Sequence, residues 1–156
     1  MSEFTPKNIL VTTDLSPEST SAYPHAKSLA KAYQAHLMLV CCIDTSIQFG
    51  VAGTFDMPVM YVPEVLSAVK DRTLRALNEH VTQYFPEGGI SSHLIDRPLP
   101  VQNTIVEFIK ESEVDLVVIA SHGRSGISRA FLGSVAEQVI RHSSKPTLVV
   151  PLGGFA

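Results

Sequence analysis

Short apolar blocks and longer amphipathic stretches alternate along the chain. Residues 8–13 read NILVTT, residues 36–43 read HLMLVCCI and residues 114–120 read VDLVVIA. None of the three alternates apolar with polar positions, so each predicts a strand covered on both faces. After the first block, DLSPES sets Ser16 as a helix cap and Pro17 as the first helical residue. Ala22, Ala26, Leu29, Ala30 and Tyr33 then line one face, with a kink expected at Pro24. Leu66, Val69, Thr73, Leu77, Val81 and Tyr84 recur at helical spacing until Pro86 and the Gly88–Gly89 pair end the pattern. ISSHLID (90–96) predicts a third strand, and RPLP leads into a helix carrying Ile105, Val106 and Ile109. A fourth helix opens at Gly133–Ser134, and PTLVVP (146–151) closes the chain with a fifth strand. Residues 44–61 contain two glycines, a proline and no period, and read as a long loop.

Strand and helix alternating throughout predict a single α/β domain over residues 1–156. Its core is an open, doubly wound, five-stranded parallel sheet with helices on both faces, a Rossmann-like architecture. Such sheets hold ligands beyond the carboxyl ends of the strands, where the winding direction reverses. Two segments are expected to meet there, TTD at the end of the first strand (12–14) and ASHG at the end of the fourth (120–123). From Gly123 to Gly133 the chain is basic and rich in donors, with Arg124, Ser125, Gly126, Ser128 and Arg129. Unpaired amides at the start of the following helix carry partial positive charge, and a glycine there lets an anion reach the backbone. Phosphate fits that environment. A blander reading stands beside it: Ser134 and Glu137 spell the S-x-x-E of a capping box, which any helix uses without a ligand. Asp14 likewise reads as a turn cap or as a ligand-binding carboxylate.

Composition narrows the classes. A net charge of −3 lacks the basic excess that nucleic-acid backbones select. Cys41 and Cys42 are adjacent on a strand, point to opposite faces and cannot bridge, which suits a reduced, cytoplasmic protein. No apolar run reaches membrane-spanning length, so no membrane insertion is expected. The six histidines lack metal-ligand spacing, and His122, without an adjacent nucleophile or acid, is expected to fix the loop by a hydrogen bond. No G-x-x-x-x-G-K-[ST], no G-x-G-x-x-G after the first strand and no G-x-S-x-G occurs, and neither the SGG signature of pyrophosphatases nor an H-x-G-H is present.

ILVTTDLSPES near the start, LVCCID after it, and ASHGRSGISRAFLGSVAEQVIRHSSKPTLVV at the end resemble the universal stress protein family in order and spacing over nearly the whole chain. The family's nucleotide signature, G-x2-G-x9-G-[ST], falls on Ala120, Gly123, Gly133 and Ser134, with alanine in place of the first glycine. The resemblance implies an adenine nucleotide alpha hydrolase-like fold of strand order 3-2-1-4-5 that binds ATP, with Mg or Mn carried on the phosphates. It implies that Asp14 binds the ribose and adenine side together with the backbone of Thr12 and Thr13, and that Cys42 presents backbone to the adenine. Ile119 and Ala120 would border the site, while Gly123, Gly133, Ser134 and Val135 would hold phosphates and Arg124 would add charge. Alanine at 120 is expected at worst to weaken binding and not to abolish it, provided that the position keeps an ordinary strand-like backbone and needs no positive φ. A homodimer through the terminal strand, 147–151, is implied as well, in keeping with the exposed edge such a strand leaves. The expected role is a nucleotide-dependent stress or signalling regulator with a protein partner that the sequence does not name. Slow ATP hydrolysis and a nucleotide-independent dimeric interaction module are the alternatives.

Overall fold

The computed structural model of the protein describes residues 3–45, 63–123 and 132–152. Five parallel strands form one sheet: β1 (Asn8–Thr13), β2 (His36–Asp44), β3 (Ile90–Arg97), β4 (Leu116–Ala120) and β5 (Thr147–Val150). Their order is β3-β2-β1-β4-β5, as expected. α1 (Tyr23–Tyr33) and α2 (Pro63–Tyr84) link strands stepping one way from β1, and α3 (Val101–Glu111) and α4 (Ser134–His142) serve the strands on the other side of it. Right-handed crossovers therefore place the two helix pairs on opposite faces.

The continuous apolar strands are explained by two cores, one on each face. Ile9, Val11, Leu37, Leu39, Leu116 and Val118 pack with Tyr23 and Ala26 of α1 and Leu77 of α2. Leu10, Val40, Val117 and Ile119 pack with Ile105 and Ile109 of α3 and Ala136 and Val139 of α4. Neighbours in sequence thus part to opposite cores, as strand geometry demands. Cys41 and Cys42 divide in the same way and form no disulfide among the described residues; burial pushes the Cys42 thiol up to about 12, which disfavours its thiolate.

Two local expectations are corrected. Ser16 does not start an α-helix: its hydroxyl accepts the Ser19 amide at 3.2 Å, and the 3-10 turn Ser19–Ala22 that follows has Glu18 at its N-cap and no side-chain cap bond. The α-helix begins only at Tyr23, so Pro24 sits in its first turn, where it removes no helical hydrogen bond and no interior kink arises. The helix from Leu66 starts three residues earlier, at Pro63, and most of the 44–61 loop lies outside the described residues.

At the amino ends of the strands, the Asp115 carboxylate accepts the Lys7 and Asn8 amides at 2.8 and 2.9 Å and ties the start of β1 to β4. The carboxyl ends of β1 and β4, at the reversal of winding, remain for a ligand. Among the described residues, no helix is long and apolar enough to cross a membrane.

Candidate functional site

β1 ends in a tight reversal. Leu15 adopts φ 63, a left-handed conformation that costs a leucine energy and is held by its surroundings. The hold is visible: the Leu15 amide donates to Thr13 Oγ1 at 3.0 Å, and the Ser16 amide donates back to Asp14 Oδ1 at 3.0 Å. Ser16 Oγ donates to the same carboxylate oxygen. The turn therefore presents Asp14 as a fixed carboxylate at the mouth of the sheet.

β4 ends beside it. A Cβ on Gly123 would run into Asp14 Oδ2 and lie 3.1 Å from its Cγ, so only glycine lets the two chain segments approach this closely. Gly133 is pressed as tightly against the other flank. Its amide donates to the Ser121 carbonyl at 2.8 Å, and a Cβ there would meet that oxygen at 2.9 Å. Both glycines of the described signature are thus explained by close approach. Position 120 differs: Ala120 lies in β4, paired with Val150, and has no positive φ, so the alanine sits there without strain.

α4 opens on this site with amides that no side chain caps among the described residues. Gly133 is the N-cap, and the first intrahelical bond of the first turn runs from the Glu137 N–H to Gly133 O at 2.9 Å. The capping-box reading is therefore overturned. Ser134 is the first helical residue rather than the cap, and Glu137 turns outward to pair with Arg141 one turn on. The amides of Ser134, Val135 and Ala136 precede the helical ladder and carry the positive end of the helix dipole.

These pieces enclose a cavity of about 280 Å³. Of the eleven residues expected at a site, Thr12, Thr13, Asp14, Ile119, Ala120, Gly123, Gly133, Ser134 and Val135 line it. Cys42 does not; it lies in β2, paired with Ile95 of β3 and packed against the α3–α4 core. Arg124 lies outside the described residues. Ser19, Val101, Ile105, Ser121, His122 and Ala136 complete the wall, and sequence reasoning assigned none of them to binding. His122 bonds through Nδ1 to Ser121 Oγ at 2.9 Å, while its Nε2 is buried without a partner among the described residues. A buried imidazole nitrogen left unpaired is costly, and a ligand in the cavity is one way to satisfy it. The wall is otherwise apolar where α3 and β4 contribute and polar along β1.

Beneath the site lies a second polar layer. Tyr23 OH donates to Thr13 Oγ1 at 2.6 Å and stands 3.3 Å from His80 Nδ1 of α2. Burial pushes the Tyr23 phenol above its ordinary value and the His80 imidazole below its own, so both stay neutral at pH 7. Among the described residues, no group of three or more His, Cys, Asp or Glu could hold a metal ion.

Fold and site together define a doubly wound α/β domain with a carboxylate on one side of its switch-point cavity and an uncapped helix amino end on the other. Residues 5–151 match the profile of the Universal stress protein family. A universal stress protein of Methanocaldococcus jannaschii is 33% identical over 146 residues, spanning 92% of this chain and 81% of the relative. The chain belongs to the universal stress protein family. Two solved structures share its fold. A universal stress protein in complex with cAMP has a TM-score of 0.65 at 22% identity, over 94% of this chain and 97% of that one. A universal stress protein of Archaeoglobus fulgidus in complex with dAMP has a TM-score of 0.61 at 23% identity, over 92% and 96%.

Proposed function

We propose that the protein binds an adenine nucleotide, ATP, in the cavity between β1, β4 and α4, and that occupancy of this site is its regulatory signal. One observation carries the reading: the Asp14 carboxylate, the Gly123 backbone and the uncapped start of α4 at Gly133 face one cavity, although they come from segments more than a hundred residues apart. A nucleotide has a matching polarity. Its ribose hydroxyls donate to a carboxylate, and its phosphates accept from helical amides. The residues present fit such a ligand at one further point, since His122 Nε2 is buried without a partner among the described residues and faces the same cavity. The relatives bound to cAMP and dAMP support the adenine class. A divalent ion, Mg or Mn, would arrive on the phosphates and neutralise them.

The reading extends to a homodimer through β5. This strand is one of the sheet's two edges, and its Leu148 is 38% exposed. A second copy of the same strand would cover both the unpaired backbone and that side chain. β5 also pairs with β4, Ala120 against Val150, so the dimer contact and the nucleotide cavity share a strand pair.

Equilibrium titration of the purified protein with ATP and with GTP tests the proposal. Saturable binding with a preference for adenine is expected. No saturation by ATP at millimolar concentration would remove the reading.

A further inference from the structure

The hydroxyl groups behind Asp14 form a chain whose proton order the geometry dictates. Ser19 Oγ donates to the Ser16 carbonyl at 2.8 Å, which accepts only, so the single Ser19 proton is spent there. The 3.0 Å contact between Thr13 Oγ1 and Ser19 Oγ must then carry the Thr13 proton. Tyr23 in turn must donate to Thr13, and His80 Nδ1 must donate to Tyr23. Ser16 stands at the end of this one-way chain. Its hydroxyl accepts the Ser19 amide, and its remaining proton goes to Asp14 Oδ1, which also takes the Ser16 amide. Both donors of Ser16 therefore converge on one carboxylate oxygen, while Oδ2 is turned to the Gly123 side of the cavity. Ser16 is 5% exposed and does not line the cavity, so it acts through Asp14 and not on a ligand.

We propose that Ser16 is a positioning residue that aims the Asp14 carboxylate at a ribose, and that the Thr13–Ser19–Tyr23 hydroxyl chain holds Ser16 in that role. The proposal deepens the nucleotide reading and rests on it. It makes a distinction that a merely structural serine would not: losing the Ser16 hydroxyl affects ligands with ribose hydroxyls and spares those without them. A carboxylate that loses its hydroxyl donor is held less firmly and samples more orientations, and only the aimed form collects the ribose hydrogen bonds.

The test is a double-mutant cycle read with ATP and 2′,3′-dideoxy-ATP. The wild-type protein is expected to prefer ATP about tenfold, in keeping with one hydrogen bond to a charged group. Ser16→Ala is expected to lose most of that preference while binding the dideoxy nucleotide within about twofold of wild type. The pair Asp14→Ala/Ser16→Ala is expected to match Asp14→Ala alone. Should Ser16→Ala fold poorly, Ser16→Cys keeps the volume and weakens the donor, and the same loss of preference is expected. Retention of the wild-type preference in either variant, or a Ser16→Ala effect that adds fully to that of Asp14→Ala, overturns the proposal. Wild-type binding of ATP with no preference over the dideoxy form overturns it too and leaves the nucleotide reading standing. Absence of all nucleotide binding removes both.

Discussion

Replacing Gly123 by alanine tests the contact on which the site depends. The new methyl would occupy the place of Asp14 Oδ2 and approach Asp14 Cγ to 3.1 Å. A carboxylate at the end of a free side chain would step aside at little cost. This one is anchored, because its Oδ1 takes the Ser16 amide at 3.0 Å and the Ser16 hydroxyl. Hydrogen bonds to charged groups contribute about 1.5–3 kcal/mol each, so rotating Asp14 away forfeits up to about 3–6 kcal/mol, part of which water returns. Moving the backbone instead disturbs the end of β4, where Ser121 also accepts the Gly133 amide. The less costly route is partial rotation of Asp14, for which a net loss of about 1–3 kcal/mol in stability is expected. Nucleotide affinity should fall by at least about tenfold, since the carboxylate leaves its aimed position. Thermal denaturation without ligand measures the first effect and calorimetric titration with ATP the second. A Gly123→Ala protein that binds ATP with wild-type affinity would show that Asp14 and the β4 end do not act together.

Three other outcomes follow from single contacts. Because Ser134 caps nothing, Ser134→Ala is expected to change stability by less than about 0.5 kcal/mol, against about 1 kcal/mol for a true cap, and yet to weaken ATP binding; chemical denaturation and titration report the two. Asp115 is held below the usual carboxylate range by the Lys7 and Asn8 amides. Its folded-state pKa is depressed, so its stabilisation is present above the unfolded value near 4 and is lost as pH falls through the folded value. Asp115→Asn should therefore be less stable than wild type at pH 7, by an amount that solvent screening keeps small, with the difference shrinking below about pH 4 in denaturation curves; a difference independent of pH refutes the assignment. Leu148→Glu places a charge on the β5 edge and is expected to shift the protein from dimer to monomer in sedimentation equilibrium, while a wild-type protein that is already monomeric refutes the β5 interface.

The strands were legible because burial on both faces writes uninterrupted apolar runs, which the two cores account for residue by residue, whereas the strand order came with the family resemblance. The meeting of TTD with ASHG was legible for a topological reason, since strands flanking a switch point end side by side. Helix starts were harder to read. DLSPES contains every local signal for a helix, but Ser16 and Asp14 spend their polar groups on each other and on Ser19, and the α-helix is delayed to Tyr23. Ser134 and Glu137 carry the right letters for a capping box in the wrong register, one residue inside the helix. Val101 and Ile105 entered the cavity wall unforeseen, because a helical apolar stripe shows that a residue is covered and not what it covers. His122, by contrast, was expected to make a loop-fixing hydrogen bond and does bond to Ser121.

The pairing of β1 directly with β4 has a consequence for how the protein is made. Ile9 is registered against Leu116, so the first strand to leave the ribosome waits for the fourth before its inner edge is closed. A nascent chain ending before residue 134 has Asp14 but no helical amides opposite it, and it has no means of gripping a phosphate. A ligand of this cavity would therefore act on the finished polypeptide only, rewarding completed folding without guiding its early steps.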